Sequence, residues 1–476
     1  MNATPTILWL RKDLRLDDHP ALSWALERGG PVLPVFISDP RSEGAAADGD
    51  AARAWLHRSL KSLAGRLDAL GGRLILRRGP SLETLLSLVR ETGADAVAWN
   101  RRYEPDVIGR DSAVKKALLA AGVEVRSFNG SLLFAPNRVE NKAGLPFRVF
   151  TPFWKHCLGQ AVRPAIPYSL DRWPAHTGTV DSEPLDSLGL RPDVSWDAGL
   201  FRIWEPGEPA ALARLDHFAG EIVSGYATNR DRPDLDGSSR LSPHLHWGEI
   251  SPVRIFHRIR AADAGRGGEV FLSEIGWREF AHHLLFHFPD TIDQPLRPEF
   301  RSFPWETDAA VLRAWQRGQT GYPIVDAGMR QLWATGWMHN RVRMVVASFL
   351  VKHLLQPWQA GAAWFRDTLV DADLASNTLG WQWTAGCGAD AAPYFRVFNP
   401  MLQGDRFDPE GAYVRKWVPE LARLPSVWIQ RPWEAPAAVL QEAGLELGHD
   451  YPAPLVDHAA ARNRALAAYE RIRQKG

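Results

Sequence analysis

The chain has little with which to build covalent or metal chemistry. Among its 476 residues only Cys157 and Cys387 are cysteines. They stand far apart with no close-spaced pair, which excludes a disulfide framework and a cysteine-rich zinc or iron-sulfur site. Both read as small buried thiols. Long apolar runs are absent, so no segment reaches membrane-spanning length, and Met1 to Pro5 has neither the charged start nor the apolar stretch of a signal peptide. The expected compartment is the cytoplasm. Charge of either sign is not in excess: 56 Lys and Arg face 55 Asp and Glu, for a net charge of +1. A polyanion would therefore be held by a local patch and not by the whole molecule. No G-x-G-x-x-G follows the first apolar run, so a dinucleotide fingerprint is missing. His283 and His287 lie four residues apart without a carboxylate motif nearby, which makes them structural and not metal ligands.

What is present begins with 45% hydrophobic content and 21 Trp against 8 Tyr. A chain of this length buries a large core and has room for two domains, and buried indoles need partners for their N–H groups. Short β-rich runs at Thr6–Leu10, Val32–Ile37, Arg73–Arg77, Ala96–Trp99 and Glu124–Phe128 alternate with helix-length segments. That alternation predicts a parallel sheet with crossover helices. Residues 131–206, rich in Pro, Trp and Asp, read as a long surface connection. From about Pro209 the pattern is helical. Ser242-Pro243 and Ser251-Pro252 each read as an N-cap followed by a first-turn proline, and Trp337 to Gln356 reads as one helix ending ahead of Pro357. The expected architecture is an N-terminal Rossmann-like α/β domain over 1–130, a linker over 131–206 and a larger all-α domain over 207–476.

Four constellations carry possible chemistry. Tyr226, Arg230 and the run Gly237-Ser238-Ser239-Arg240-Leu241-Ser242 place hydroxyls, backbone N–H groups and guanidinium at a helix start, an anion-binding arrangement; a plain capped helix is the alternative. Glu274, Trp277, Arg278 and Ala281 share one helical face, which suits a flat polar ligand or else a surface Glu274–Arg278 ion pair. Asn340 and Met344 lie one turn apart, where an amide can read a nucleobase edge and a thioether can pack on its face. A buried Arg343 beside them requires a carboxylate, for which Asp371 and Asp373 are at hand, although turn and cap work would equally account for both aspartates. In DADLASNTLGWQW, Trp381 and Trp383 point in nearly opposite directions if helical.

These residues, with RKDLRLDDHPAL, GSSRLSP, SEIGWREF, TGYPIVDAGMRQL, GWMHNRVRM, DAAPYFRVFNP and QGDRFD, make nearly the whole chain resemble the photolyase and cryptochrome flavoproteins. The likeness is to the microbial, class I/III-like, cyclobutane pyrimidine dimer photolyases. The resemblance implies an α/β antenna domain followed by a helical FAD- and DNA-binding domain. It implies light-driven repair of UV-damaged DNA, in which excited reduced anionic FAD passes an electron to a flipped-out dimer. Tyr226, Ser238, Ser239, Arg240, Leu241, Ser242, Arg278, Arg343, Asp371, Asp373 and Asn377 correspond to cofactor-binding positions, with Asn377 near flavin N5. Glu274, Trp277, Asn340, Met344 and Trp383 correspond to the lesion pocket, and Arg230, Trp277, Asn340, Arg341 and Gln403 to DNA contacts. Trp381, Trp358 and Trp305 correspond to the proximal, middle and distal members of an electron-transfer chain.

The same resemblance narrows the subtype. The (6-4) photolyases carry histidines where this chain has Asn340 and Met344, DASH cryptochromes usually carry Gln at the place of Met344, and the iron-sulfur branch needs four cysteines. The antenna it implies is 5,10-methenyltetrahydrofolate first and 8-hydroxy-5-deazaflavin second, although Val107 stands where a folate-binding pattern has glutamate. Ala281 replaces an aromatic and Thr378-Leu379 a smaller or more polar pair, changes expected at the pocket edge. No metal or membrane partner is implied, and a monomer is expected. The rival reading is a cryptochrome-like blue-light sensor; Asn377, the complete lesion set and the lack of a long polar extension after the helix expected over Arg462 to Lys475 weigh against it.

Overall fold

The computed structural model describes residues 4–192, 194–391 and 395–474. The DAAPYFRVFNP motif includes Ala392, Pro393 and Tyr394, which lie outside the described residues. The chain forms two compact units: residues 1–224, 239–289 and 370–375 make the first, and residues 225–238, 290–369 and 376–476 the second.

The first unit is organised by five parallel strands, β1 (Thr6–Leu10), β2 (Val32–Ser38), β3 (Ile75–Arg78), β4 (Ala96–Asn100) and β5 (Glu124–Phe128), in the order β3-β2-β1-β4-β5. Trp9 pairs with Val35 on one side of β1 and Ile7 with Val97 on the other. Every residue of β1 and β4 is buried, which explains why these strands read as continuous apolar runs with no alternation. The crossovers are α1 (Pro20–Glu27), α2 (Asp50–Ala69), α3 (Ser81–Thr92) and α4 (Pro105–Ala120). Two strands match their expected bounds to the residue, whereas β3 begins two residues later than the apolar run suggested.

The expectation of a surface connection over 131–206 is overturned. This stretch contains helix α5 (Phe150–Leu158), and it buries Leu132, Phe153, Trp154, Cys157, Trp173 and Val180. Trp173 Nε1 donates to the Val32 carbonyl at 2.8 Å, and Glu183 N–H to the Leu76 carbonyl at 2.9 Å. Its prolines keep regular elements short without preventing burial. The unit closes with α6 (Ser242–His246), α7 (Pro252–Ala261) and the long α8 (Gly265–His287). Ser251 caps α7 as expected, accepting from Arg254 N–H. Ser242 does not cap α6. It is the first residue of that helix, Leu241 holds the cap position, and the hydroxyl is used elsewhere.

The second unit is helical. Its elements include α9 (Pro323–Thr335), α10 (Asn340–Ser348), α11 (Trp358–Thr368), α12 (Leu374–Ala385, whose first two residues belong to the first unit), α13 (Pro400–Phe407) and α14 (His458–Arg473). The single helix expected over Trp337 to Gln356 is not formed. Gly336, at φ 64°, stops α9, and His339 is extended and caps α10 by accepting from Arg341 N–H. After Ser348 the turns widen into a π-helical segment, Phe349–His353. The chain then leaves the helix through Leu355 at φ 49°, ahead of Pro357, which has no N–H to continue it.

Candidate functional site

In the first unit, α8 carries Glu274, Trp277, Arg278 and Ala281 on one stripe, and its twenty-three residues hold them rigidly. Arg278 Nη1 donates to the Ser131 carbonyl at 2.8 Å. Its own carbonyl lies 3.0 Å from His282 Nδ1, and His282 Nε2 lies 3.4 Å from Asp373. Burial pushes the Asp373 carboxyl up, but His282 and Arg278 outweigh it and hold it well below its ordinary value. Burial likewise lowers the His282 imidazole, and Asp373 outweighs that and raises it. Asp371, buried, accepts from the Ser242 hydroxyl at 2.6 Å. Two residues earlier, Arg240 has φ 52°, a left-handed conformation that turns the chain into α6, and Ser239 gives its carbonyl to Arg214 Nε at 2.8 Å. The structure thus brings together Ser242, Arg278, Asp371 and Asp373 in one network of charged and hydroxyl groups. His282 completes it and was not singled out from the sequence. Its signal was its position four residues after Arg278 and eight after Glu274, on the same stripe.

The neighbouring His283 is of the structural kind. It accepts from Phe147 N–H at 3.0 Å, and burial together with His287 pushes its imidazole down to about 3. No group of three metal-ligating side chains occurs among the described residues. Both cysteines are buried thiols, pushed up to about 12 by burial.

In the second unit, Asn340 opens α10 and is exposed. Arg341 Nη2 pairs with Asp231 at 2.8 Å, with its guanidinium 4.4 Å from the Phe407 ring centre. Arg343 Nε donates to the Met338 carbonyl at 2.7 Å, while Met344 is half-buried. The Arg230 guanidinium lies 5.5 Å from the centre of the Tyr226 ring, and Gln403 stands on α13, whose start is capped by Asn399.

Along α12, Asn377 Nδ2 donates to the Ala362 carbonyl at 3.0 Å. A carbonyl can only accept, so the bond fixes the amide with Oδ1 as the acceptor it offers outward. Trp381 is buried, edge-on to Phe365 at 5.0 Å and to Trp315 at 6.2 Å. Trp383 is half-buried and donates to the Asp390 carbonyl at 3.1 Å, so the two indoles do diverge. Trp358 is buried at the start of α11, and Trp305 is half-exposed with its ring 4.3 Å from Phe303. Trp315 and Gly361 escaped the sequence reading. A Cβ on Gly361 would lie 2.0 Å from the Trp381 ring, a close approach that no local pattern encodes.

A separate cavity of about 200 Å³ opens at the carboxyl ends of β1 and β2 in the first unit, with Trp9, Arg11, Lys12, Arg53, Arg102 and Trp247 in its lining. The strand order reverses between β1 and β4, and ligands of open parallel sheets collect beside such points. Trp9 Nε1 and Trp247 Nε1 are buried without a hydrogen-bond partner among the described residues. Trp9 and Trp247 give the cavity aromatic walls. Val107 is fully buried.

Comparison with known proteins gives the family of the chain. The family described as DNA photolyase matches residues 6–170, and the FAD binding domain of DNA photolyase matches residues 271–471. A deoxyribodipyrimidine photo-lyase of Agrobacterium fabrum is 49% identical, over 100% of this chain and 99% of that one. Cryptochrome-2 of Arabidopsis thaliana is 42% identical, over 98% of this chain and 79% of that one. The crystal structure of a bacterial class III photolyase from Agrobacterium tumefaciens superposes with a TM-score of 0.96 at 48% identity, covering 100% of this chain and 98% of that one.

Proposed function

The chain belongs to the DNA photolyase family, and on that premise we propose that it is a deoxyribodipyrimidine photo-lyase, which uses light to split cyclobutane pyrimidine dimers in UV-damaged DNA. The observation that carries this reading is the stripe on α8, where Glu274 and Arg278 flank Trp277, an indole that is half-buried with Phe150 stacked on one face.

Each residue then has a task. Trp277 and Trp383 stack against the flipped lesion. Glu274 and Asn340 offer hydrogen bonds to base carbonyls, stabilising negative charge as it develops there, and Met344 packs on the base face where a histidine would suit a different lesion. Arg230, Arg341 and Gln403 contact the DNA strand. Because Asp231 already pairs with Arg341, that arginine contributes less phosphate affinity than a free guanidinium.

The residues also fit FAD, which when bound supplies the light-driven electron donor. Tyr226, Ser238, Ser239, Arg240, Leu241 and Ser242 supply hydroxyls, N–H groups and a guanidinium for its phosphates. Arg278, Arg343, Asp371 and Asp373 would bind its ribose and ring systems. Asn377 presents an acceptor, which is what a protonated ring nitrogen of a reduced flavin requires, and as a neutral amide it adds no charge. Trp381, Trp358 and Trp305 form the relay that delivers electrons inward; the first two are buried and the distal Trp305 is half-exposed, as a path to solvent requires.

The cavity beside β1 and β2 is the seat of the antenna, with 5,10-methenyltetrahydrofolate the first choice and 8-hydroxy-5-deazaflavin the second. Arg11, Lys12 and Arg102 line it and could face the carboxylates of a folate tail, although each is already paired with a carboxylate, Asp111, Asp48 and Glu104 respectively, which offsets part of the charge they offer. The antenna domain is centred on the parallel sheet of residues 1–130, with 131–206 packed into the same unit, and residues 207–476 carry the catalytic positions. The protein acts as a cytoplasmic monomer. A blue-light sensing role is the second reading, favoured by the identity to Arabidopsis cryptochromes.

Expression in a repair-deficient bacterial host tests the function. Survival after UV should rise when cells are then held under blue light and not when they are held in the dark. Equal survival in both conditions would refute repair.

A further inference from the structure

Trp277 is held from behind. The Phe150 ring stacks on its indole with centroids 3.9 Å apart and planes 9° apart, the parallel contact of two offset aromatic rings. Phe280 meets the indole edge-on at 5.9 Å. Phe150 is buried and Trp277 is half-buried, so Phe150 covers one indole face while the ring keeps exposed surface for a ligand.

Phe150 belongs to α5, and α5 is fixed to α8 at several points besides this ring. Trp154 lies on the backbone of α8 at Gly276, where a Cβ would come within 2.6 Å of the indole. Only glycine admits that approach. Phe153 packs on Phe280 at 5.1 Å, and the entry to α5 is tied to α8 by the Phe147 N–H bond to His283 Nε2. The plane of Phe150 is thereby set by the packing of two helices.

We propose that Phe150 is a positioning residue for lesion recognition: it fixes the plane of Trp277 so that one indole face is presented to the flipped pyrimidine dimer, without itself touching the lesion. The inference rests on the reading of Trp277 as the stacking residue. An indole already held in its binding orientation loses less freedom when the lesion arrives, and affinity gains by that difference.

The test compares Phe150→Leu, which keeps apolar volume and removes the ring, with Phe150→Tyr, which keeps the ring; Phe150→Met replaces the leucine variant if that one does not fold. Binding of the FAD-loaded protein is measured to two otherwise identical oligonucleotides, one carrying a thymine dimer and one undamaged, beside FAD content, thermal midpoint and dimers repaired per absorbed photon at saturation. Phe150→Leu should lose roughly three- to tenfold in affinity for the damaged strand, with undamaged binding, FAD content and repair per photon unchanged, and Phe150→Tyr should behave as the parent. Retained discrimination in Phe150→Leu would overturn the proposal, as would an equal loss for both oligonucleotides that follows a fall in thermal midpoint. Should the parent protein itself fail to favour the damaged strand, the functional reading would fall first, and the comparison separates the two failures.

Discussion

Replacing Gly361 by alanine tests the electron relay through one methyl group. The added Cβ would sit 2.0, 2.4 and 2.6 Å from three carbons of the Trp381 ring, against a closest tolerable approach near 3.0 Å. The indole must therefore withdraw by about 1.0 Å, the difference between 3.0 and 2.0 Å, and it has Phe365 and Trp315 packed beside it. Overpacking of this kind costs about 1–3 kcal/mol. Alanine returns about 1 kcal/mol as the better helix former, which leaves a net loss of up to about 2 kcal/mol. Gly380 is the control: it lies exposed on the same helix as Trp381, and a Cβ there meets nothing within 4 Å, so Gly380→Ala should gain about 1 kcal/mol. Thermal unfolding reads the stabilities. Photoreduction of oxidised bound FAD reads the relay, and repair by chemically reduced protein reads everything downstream of it. Gly361→Ala should photoreduce slowly while repairing normally once reduced, and Gly380→Ala should do both as the parent does. Parental photoreduction in Gly361→Ala, or equal loss of both activities, would refute the assignment of Trp381 as proximal donor.

The His282–Asp373 pair sets a pH window for stability. The His282 imidazole is raised above its ordinary 6.5 by Asp373 against the opposing effect of burial, so its contribution is full below 6.5 and is lost as pH rises through the raised value. Asp373 is depressed below 3.8, burial notwithstanding, by His282 and Arg278, so its contribution is present above 3.8 and is lost as pH falls through the lowered value. The thermal midpoint should fall on the alkaline side, and His282→Gln should flatten that limb; an unchanged alkaline slope in the variant would count against the pair. Asn340→Ala should weaken dimer repair about tenfold or more through loss of one hydrogen bond to a charged state, with FAD retained. Release of FAD, read by absorbance after gel filtration, would move Asn340 from the lesion pocket to the cofactor shell.

The parts of this molecule that were legible in its sequence are those fixed by local pattern. The bounds of β1 follow from a β-branched and aromatic run, those of β5 from a short β-rich stretch around Val125 and Phe128, and Ser251 before Pro252 specifies a cap in four residues. Ser242 before its own proline carries the same local signal, yet its hydroxyl goes to Asp371, far along the chain, and no window contains both. The same distance hides Trp154 under Gly276 and Trp381 against Gly361. Helix α5 was obscured for a different reason: nine residues, four of them aromatic or histidine, bury themselves among prolines with too few turns to show a period. His282 was passed over for His283 and His287 because their spacing suggested metal, whereas the ion pair with Asp373 depends on the fold.

The central claim is light-driven reversal of a pyrimidine dimer, and the most direct measurement is chromatography of a short oligonucleotide carrying one thymine cyclobutane dimer after incubation with the reduced, FAD-loaded protein. Under blue light the damaged strand should be converted to the strand with two intact thymines, and in the dark it should remain unchanged. A damaged strand that persists under light, with FAD bound and photoreducible, would contradict the account and bring the light-sensing reading forward.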